Sequence, residues 1–161
     1  MKVRNCWRCF SSLALGIIVP SVWASNSMLT VSVTVPAPVC IINGNQPVEV
    51  DFGQVLAHRV NGDNYRRQVN YSVSCPNDYK NAMKIQLDGK AAEFDPEVLD
   101  TSISGLGIRL FNGDGKLPVS SWLNFTYPNA PILYAAPVKQ ENATLVYGEF
   151  SAVAMMRVVY Q

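Results

Sequence analysis

The chain is 161 residues long, a length that suits one domain of ordinary size. With 48% hydrophobic and 16% charged residues it has material for a packed core, which excludes a wholly disordered polypeptide. A formal net charge of +1 excludes a strongly basic nucleic-acid binder, and no nucleic-acid partner is expected.

Taken in chain order, the first element is a leader. Lys2, Arg4 and Arg8 precede a nearly apolar run from Phe10 to Val19, and Val22-Trp23-Ala24 places compact residues before a cut after Ala24. That is the layout of a secretory signal peptide, residues 1–24, removed on export. The apolar run is about half of the roughly 20 residues a membrane span needs. Cys6 and Cys9 have redox-motif spacing but lie in the segment destined for removal. Cleavage leaves 137 residues with ten Lys and Arg against twelve Asp and Glu, a net charge of −2. It also leaves two cysteines, Cys40 and Cys75, which an oxidising exported setting should join in a disulfide.

Strand-like alternation recurs through the rest. Leu29-Thr30-Val31-Ser32-Val33-Thr34-Val35 alternates strictly and is almost purely β-branched, then stops at Pro36-Ala37-Pro38. Residues 39–42 lead into an Asn43-Gly44-Asn45 turn, and Val48-Glu49-Val50-Asp51-Phe52 alternates up to Gly53. After a turn at residues 61–64 come strand-like segments at 68–75, ended by Pro76, and at 83–87, ended by Asp88-Gly89. Residues 107–111 run into Asn112-Gly113-Asp114-Gly115, a hairpin signal. A short strand at 132–138 is interrupted by Pro137, and the last alternating segment, 150–161, runs to the terminus. About seven strands at this spacing predict an all-β, antiparallel sandwich of immunoglobulin type. Two features do not suit a self-contained sandwich. The most β-prone segment is set apart by prolines, and an isolated strand does not hold itself together in water. The final strand also ends bare where a sandwich would turn and add another.

In these features the chain resembles the pilin subunits of the chaperone–usher pathway. The resemblance rests on the alternating arm ahead of Cys40, the partner Cys75 after an alternating strand, and the strings Val50-Asp51-Phe52-Gly53 and Gly105-Leu106-Gly107-Ile108. Its most specific part is Gly148-Glu149-Phe150-Ser151-Ala152 followed by Val158-Val159-Tyr160-Gln161, with tyrosine next to last. The resemblance implies an incomplete immunoglobulin-like sandwich lacking its last strand, with an N-terminal donor-strand extension. Residues 25–38 would form the arm and residues 39–161 the pilin domain. The implied partners are a periplasmic chaperone that first fills the groove, an outer-membrane usher, and neighbouring pilins whose arms replace the chaperone by strand addition. The implied location is the fimbrium at the cell surface, reached through the periplasm, in a minor or adaptor role.

Carried over residue by residue, the resemblance puts Ser27, Leu29, Val31, Val33 and Val35 into a neighbour's groove. Family arms often have glycine at the fourth of these positions; Val33 here means a wider pocket in the partner or a register shifted by two. Ala152, Ala154, Met156, Val158 and Tyr160 would line the chain's own groove, and the carboxylate of Gln161 would meet basic chaperone residues. Val153, Met155 and Val159 face the other way, to pack under a loop or against another subunit.

Other chemistries are weaker. His58 has no nucleophile motif with it, and Glu93, Asp95, Glu97 and Asp100 are spread around Pro96 as a charged loop. Asn112-Gly113-Asp114-Gly115 lacks the downstream glutamate of a calcium loop. No catalytic residue, metal site or cofactor is expected. The alternative function is a self-complete, secreted carbohydrate-binding sandwich, a lectin-like adhesin for a host glycan or surface receptor. Its sugar-stacking residues would come from Trp122, Phe125, Tyr127 and Tyr134.

Overall fold

The computed structural model describes residues 39–76 and 81–161. The leader and the arm, with Ser27, Leu29, Val31, Val33 and Val35, lie outside the described residues. Among the described residues there are eleven strands, two single-turn 3-10 segments (Asn43–Asn45 and Ala57–Arg59) and no α-helix. The strands are β1 (Ile41–Ile42), β2 (Arg67–Gln68), β3 (Val73–Ser74), β4 (Ala82–Gly89), β5 (Ala91–Ala92) and β6 (Asp95–Asp100). They continue with β7 (Leu106–Asn112), β8 (Gly115–Leu117), β9 (Trp122–Thr126), β10 (Leu133–Lys139) and β11 (Ala154–Tyr160).

Every ladder is antiparallel. One sheet runs β2-β10-β7-β6-β5 with β8 folded onto β7; the second runs β11-β4-β9, and β1 and β3 form a small ribbon. The two large sheets face each other. Ile85 and Leu87 of β4 meet Leu99, Ile108, Leu110, Leu133 and Ala135 from the other sheet in one buried cluster. The alternation of Met83, Ile85 and Leu87 therefore does what a half-buried strand requires, with apolar residues on the inner face. The chain is an all-β antiparallel sandwich.

Several expected elements are revised. The Asp95–Asp100 stretch is strand β6, not a loop: Val98 and Leu99 are buried, and Leu99 pairs with Ile108 of β7. Tertiary burial of these two residues outweighs the strand-averse Asp and Pro around them. The aromatic stretch contains strand β9, whose register with β4 runs from Ala82↔Thr126 to Gln86↔Trp122. Residues 68–75 do not form one strand; β2 joins the larger sheet through β10, whereas β3 pairs with β1. Pro137 lies inside β10 and is fully buried. Its carbonyl accepts from Gly62 N–H at 3.1 Å on the side away from β7, so its missing N–H removes nothing from the β7 ladder. The hairpin at 112–115 forms as expected, with Asn112 opposite Gly115.

Candidate functional site

The last strand has one neighbour. β11 pairs with β4 from Ala154↔Gly89 to Tyr160↔Met83, and no strand pairs with its other edge among the described residues. Across from that edge runs the segment 48–52. It alternates as a strand does, Val48, Val50 and Phe52 half-buried against the core and Glu49 and Asp51 exposed, yet it belongs to no ladder. The reach leading into β11, residues 150–153, is also outside any ladder, and Ser151 bonds only to Ser102 (Ser102 N–H to Ser151 O 2.9 Å; Ser151 N–H to Ser102 Oγ 3.1 Å).

Between these two reaches of chain lies a cleft of about 700 Å³. Val48, Val50 and Phe52 form one wall and Ala152, Ala154 and Met156 the other, over Leu87, Leu99, Ile108 and Leu110. Its lining is thus mainly apolar, and its two sides carry extended backbone without strand partners. An unpaired strand edge is a template for another chain. A second cleft of about 700 Å³ continues past Phe52 and Phe150, lined by Val55, Leu56, Val60, Leu106 and Tyr147 among others. The two phenylalanine rings stack 6.1 Å apart where the clefts meet.

The expected groove residues are placed as follows. Ala152, Ala154 and Met156 line the cleft. Val158 is on the same inner face but packs on the core beyond it. The Tyr160 hydroxyl lies 3.6 Å from Cys40 Sγ, donating towards the sulfur. Gln161 is held at the end of β4, its N–H bonding to Ala82 O at 3.0 Å and its side-chain amide to Met83 O at 2.9 Å. The opposite face is open: Val153 is 83% and Met155 60% exposed. Sequence reasoning did not assign Val48, Val50, Phe52 or Phe150 to the groove. The signal is there in the 48–52 alternation, which by itself predicts an ordinary strand.

Cys40 and Cys75 form a disulfide that closes the β1–β3 ribbon. Cys75 Sγ lies 3.7 Å from Met83 Sδ on β4, and Cys40 meets Tyr160, so the bridge ties the start of the described chain to its penultimate residue.

The other candidate chemistries do not assemble. Asp95 pairs with Arg109 at 3.4 Å and Asp100 with Lys90 at 2.5 Å. The hydrogen bond from Lys90 holds the Asp100 carboxyl below its ordinary range and raises the Lys90 ammonium in turn. His58 is exposed in the 3-10 turn Ala57–Arg59. No group of three or more His, Cys, Asp or Glu able to hold a metal occurs among the described residues. The aromatic residues do not share a platform. Trp122 and Phe125 project from opposite faces of β9, with Phe125 against the core and Lys84 Nζ 4.8 Å over the Trp122 ring. Tyr134 stands on the other sheet, against Arg66.

Comparison with known proteins agrees with this architecture. A family profile described as "Fimbrial protein" matches residues 28–161. The chain is 39% identical over 160 residues to the uncharacterized fimbrial-like protein YfcR of Escherichia coli K12, across 91% of this chain and 92% of that one. Among solved structures, the P pilus adaptor subunit PapF superposes with a TM-score of 0.56 at 26% identity, over 80% of this chain and 100% of PapF. The P pilus rod subunit PapA has a TM-score of 0.64 at 23% identity, over 78% of this chain and 100% of PapA, a likeness of fold. An all-β sandwich whose final strand has one free edge among the described residues, matched along its length in this way, belongs to the fimbrial protein family.

Proposed function

We propose that the protein is a non-enzymatic structural subunit, a minor or adaptor pilin, that is exported, polymerised by donor-strand exchange and built into a fimbria that contributes to cell adhesion. The observation that carries this reading is the cleft between residues 48–52 and Ala152–Met156, where two extended reaches of chain face each other without a strand between them. In this reading residues 1–24 direct export and are removed, residues 25–38 are the donor arm, and residues 39–161 are the pilin domain. A periplasmic chaperone fills the cleft first and holds the end of the chain at Gln161. At the outer-membrane usher, a neighbour's arm replaces it. The chain's own arm, through Ser27, Leu29, Val31, Val33 and Val35, fills the next acceptor.

The energetics suit a long-lived joint. Each buried Leu or Val contributes roughly 1.5–3 kcal/mol, and an added strand satisfies main-chain groups on both sides of the cleft. Small Ala152 and Ala154 leave room for the incoming side chains. The test is to express residues 25–161 without a chaperone. The expected result is an aggregating or unstable protein that becomes a soluble monomer when an alternating apolar strand is fused after Gln161. A stable monomer with no added strand would overturn the reading.

A further inference from the structure

The two clefts carry charge of one sign. Their polar rim includes Glu49, Asp51 and Glu149, all exposed, and neither cleft has a Lys, Arg or His in its lining. None of the three carboxylates has an ion-pair partner among the described residues. Asp51 accepts one local bond, from Gly53 N–H at 2.7 Å, and a carboxylate retains capacity for more. The charges also have a defined direction. In the segment 48–52 the apolar side chains turn inward, so Glu49 and Asp51 stand on the outer face. Any strand laid in the cleft would present its own outer residues beside them at cross-strand distance, about 4.5–5.5 Å between Cβ atoms. On the far side of such a strand the outward residues are the exposed apolar Val153 and Met155. Arg157, the next outward residue along β11, is already engaged with Asp88 at 3.2 Å.

From this we infer that the groove is built for a donor strand whose inward positions are apolar and whose outward positions carry lysine or arginine. This inference rests on the donor-strand reading above and names the chemistry of the partner. A long basic side chain suits both flanks at once: its aliphatic stem covers Val153 and Met155 while its head reaches the carboxylates opposite. A strand with acidic outward residues would put like charges directly across from Glu49 and Asp51 and is disfavoured. The chain's own arm fits poorly. Residues 25–38 contain no charged residue, so a second copy would leave the acidic rim unanswered. The favoured partner in the groove is therefore a different subunit with basic outward residues, which the charge pattern selects over a second copy of this chain.

The test offers three synthetic peptides to the mature chain, residues 25–161, purified from the periplasm as its complex with a co-expressed pilus chaperone, and follows release of the chaperone as each peptide enters the groove. One is the chain's own 27–35 sequence. The second carries Thr30→Lys, Ser32→Lys and Thr34→Lys, and the third carries glutamate at the same positions. All outward positions change together, so the outcome does not depend on register. In about 0.01 M salt, where charges act over about 30 Å, the lysine peptide should form its complex about tenfold more readily than the native peptide, and the glutamate peptide less readily still. The preference should vanish in about 1 M salt, where the screening length is about 3 Å. It should also vanish in a Glu49→Gln, Asp51→Asn, Glu149→Gln variant, whose amides keep their local acceptors. Equal binding of all three peptides would overturn this inference and leave the donor-strand reading standing. A lysine preference that survives in the neutralised variant would also overturn it, because the rim would not be its source. Failure of every peptide to bind would overturn both.

Discussion

Tyr71 shows how a single side chain links burial to pH. Its hydroxyl donates to Pro131 O at 2.6 Å, and burial pushes its pKa from an ordinary 10.0 up to about 12. The folded state thus keeps a proton that the unfolded chain gives up. Stability linked to Tyr71 is fully present below pH 10 and is lost as pH rises from there towards about 12. Denaturant midpoints should accordingly fall between pH 9.5 and pH 11.5, and Tyr71→Phe should flatten that fall; an unchanged slope in the variant would count against the assignment. Arg66 is a contrasting case. Its guanidinium lies 4.4 Å from the Phe111 ring centroid and 4.5 Å from that of Tyr134, and it also donates to Gly113 O. Its buried Nε has no hydrogen-bond partner, and the electron-rich ring faces supply part of what that bond would. Nothing in the local pattern marked Arg66, because its neighbours are 45 and 68 positions away.

At the scale of elements, β6 and β7 come close together at Gly107. A Cβ added there would lie 2.4 Å from Val98 Cγ1 and 3.0 Å from Leu99 O. The second of these is backbone and cannot rotate away. Gly107→Ala should therefore cost about 1–3 kcal/mol, the range for overpacking a tight core. Urea unfolding of the strand-fused protein measures this directly, and a loss under 0.5 kcal/mol would mean that β6 yields more easily than about 1 kcal/mol of strain implies. The glycine stands out in Gly105-Leu106-Gly107-Ile108, but its reason does not, because the charged residues around Pro96 predict a loop where β6 lies. Strand β4 was legible from its strict alternation, and β7 and β11 from apolar runs bounded by turn signals or glycine. Strands β6 and β9 were less so, because their burial comes from facing elements and not from their own period. The segment 48–52 had the period of a strand and lacks a ladder. Alternation reports which side chains are buried, whereas a ladder needs a partner at the edge.

For the molecule as a whole, the Cys40–Cys75 bridge couples the β1–β3 ribbon to the end of β11 through Tyr160 and Met83. Closing a loop with a sequence separation of 35 contributes about 4 kcal/mol in the chain-entropy model. A Cys40→Ser, Cys75→Ser double variant of the strand-fused protein should lose most of that, read as a lower denaturant midpoint with a somewhat steeper slope, since the unfolded chain is freed to expand. A loss below about 1 kcal/mol would show that the β1–β3 ribbon holds without the bridge. The acidic rim of the groove acts at this same scale. It is assembled from residues 49, 51 and 149, near opposite ends of the domain, and only the fold makes them neighbours of one cleft.

The amino-acid order alone determined the all-β class, the disulfide pair, the hairpin at 112–115 and the family, because each depends on local period, turn chemistry or a short list of cysteines. The tertiary structure decided which residues face the vacant edge, that Phe52 and Phe150 stack between two clefts, and that the carboxylates around them go unanswered. Those features depend on packing between segments some hundred residues apart, and packing of that kind leaves no periodic trace in either segment.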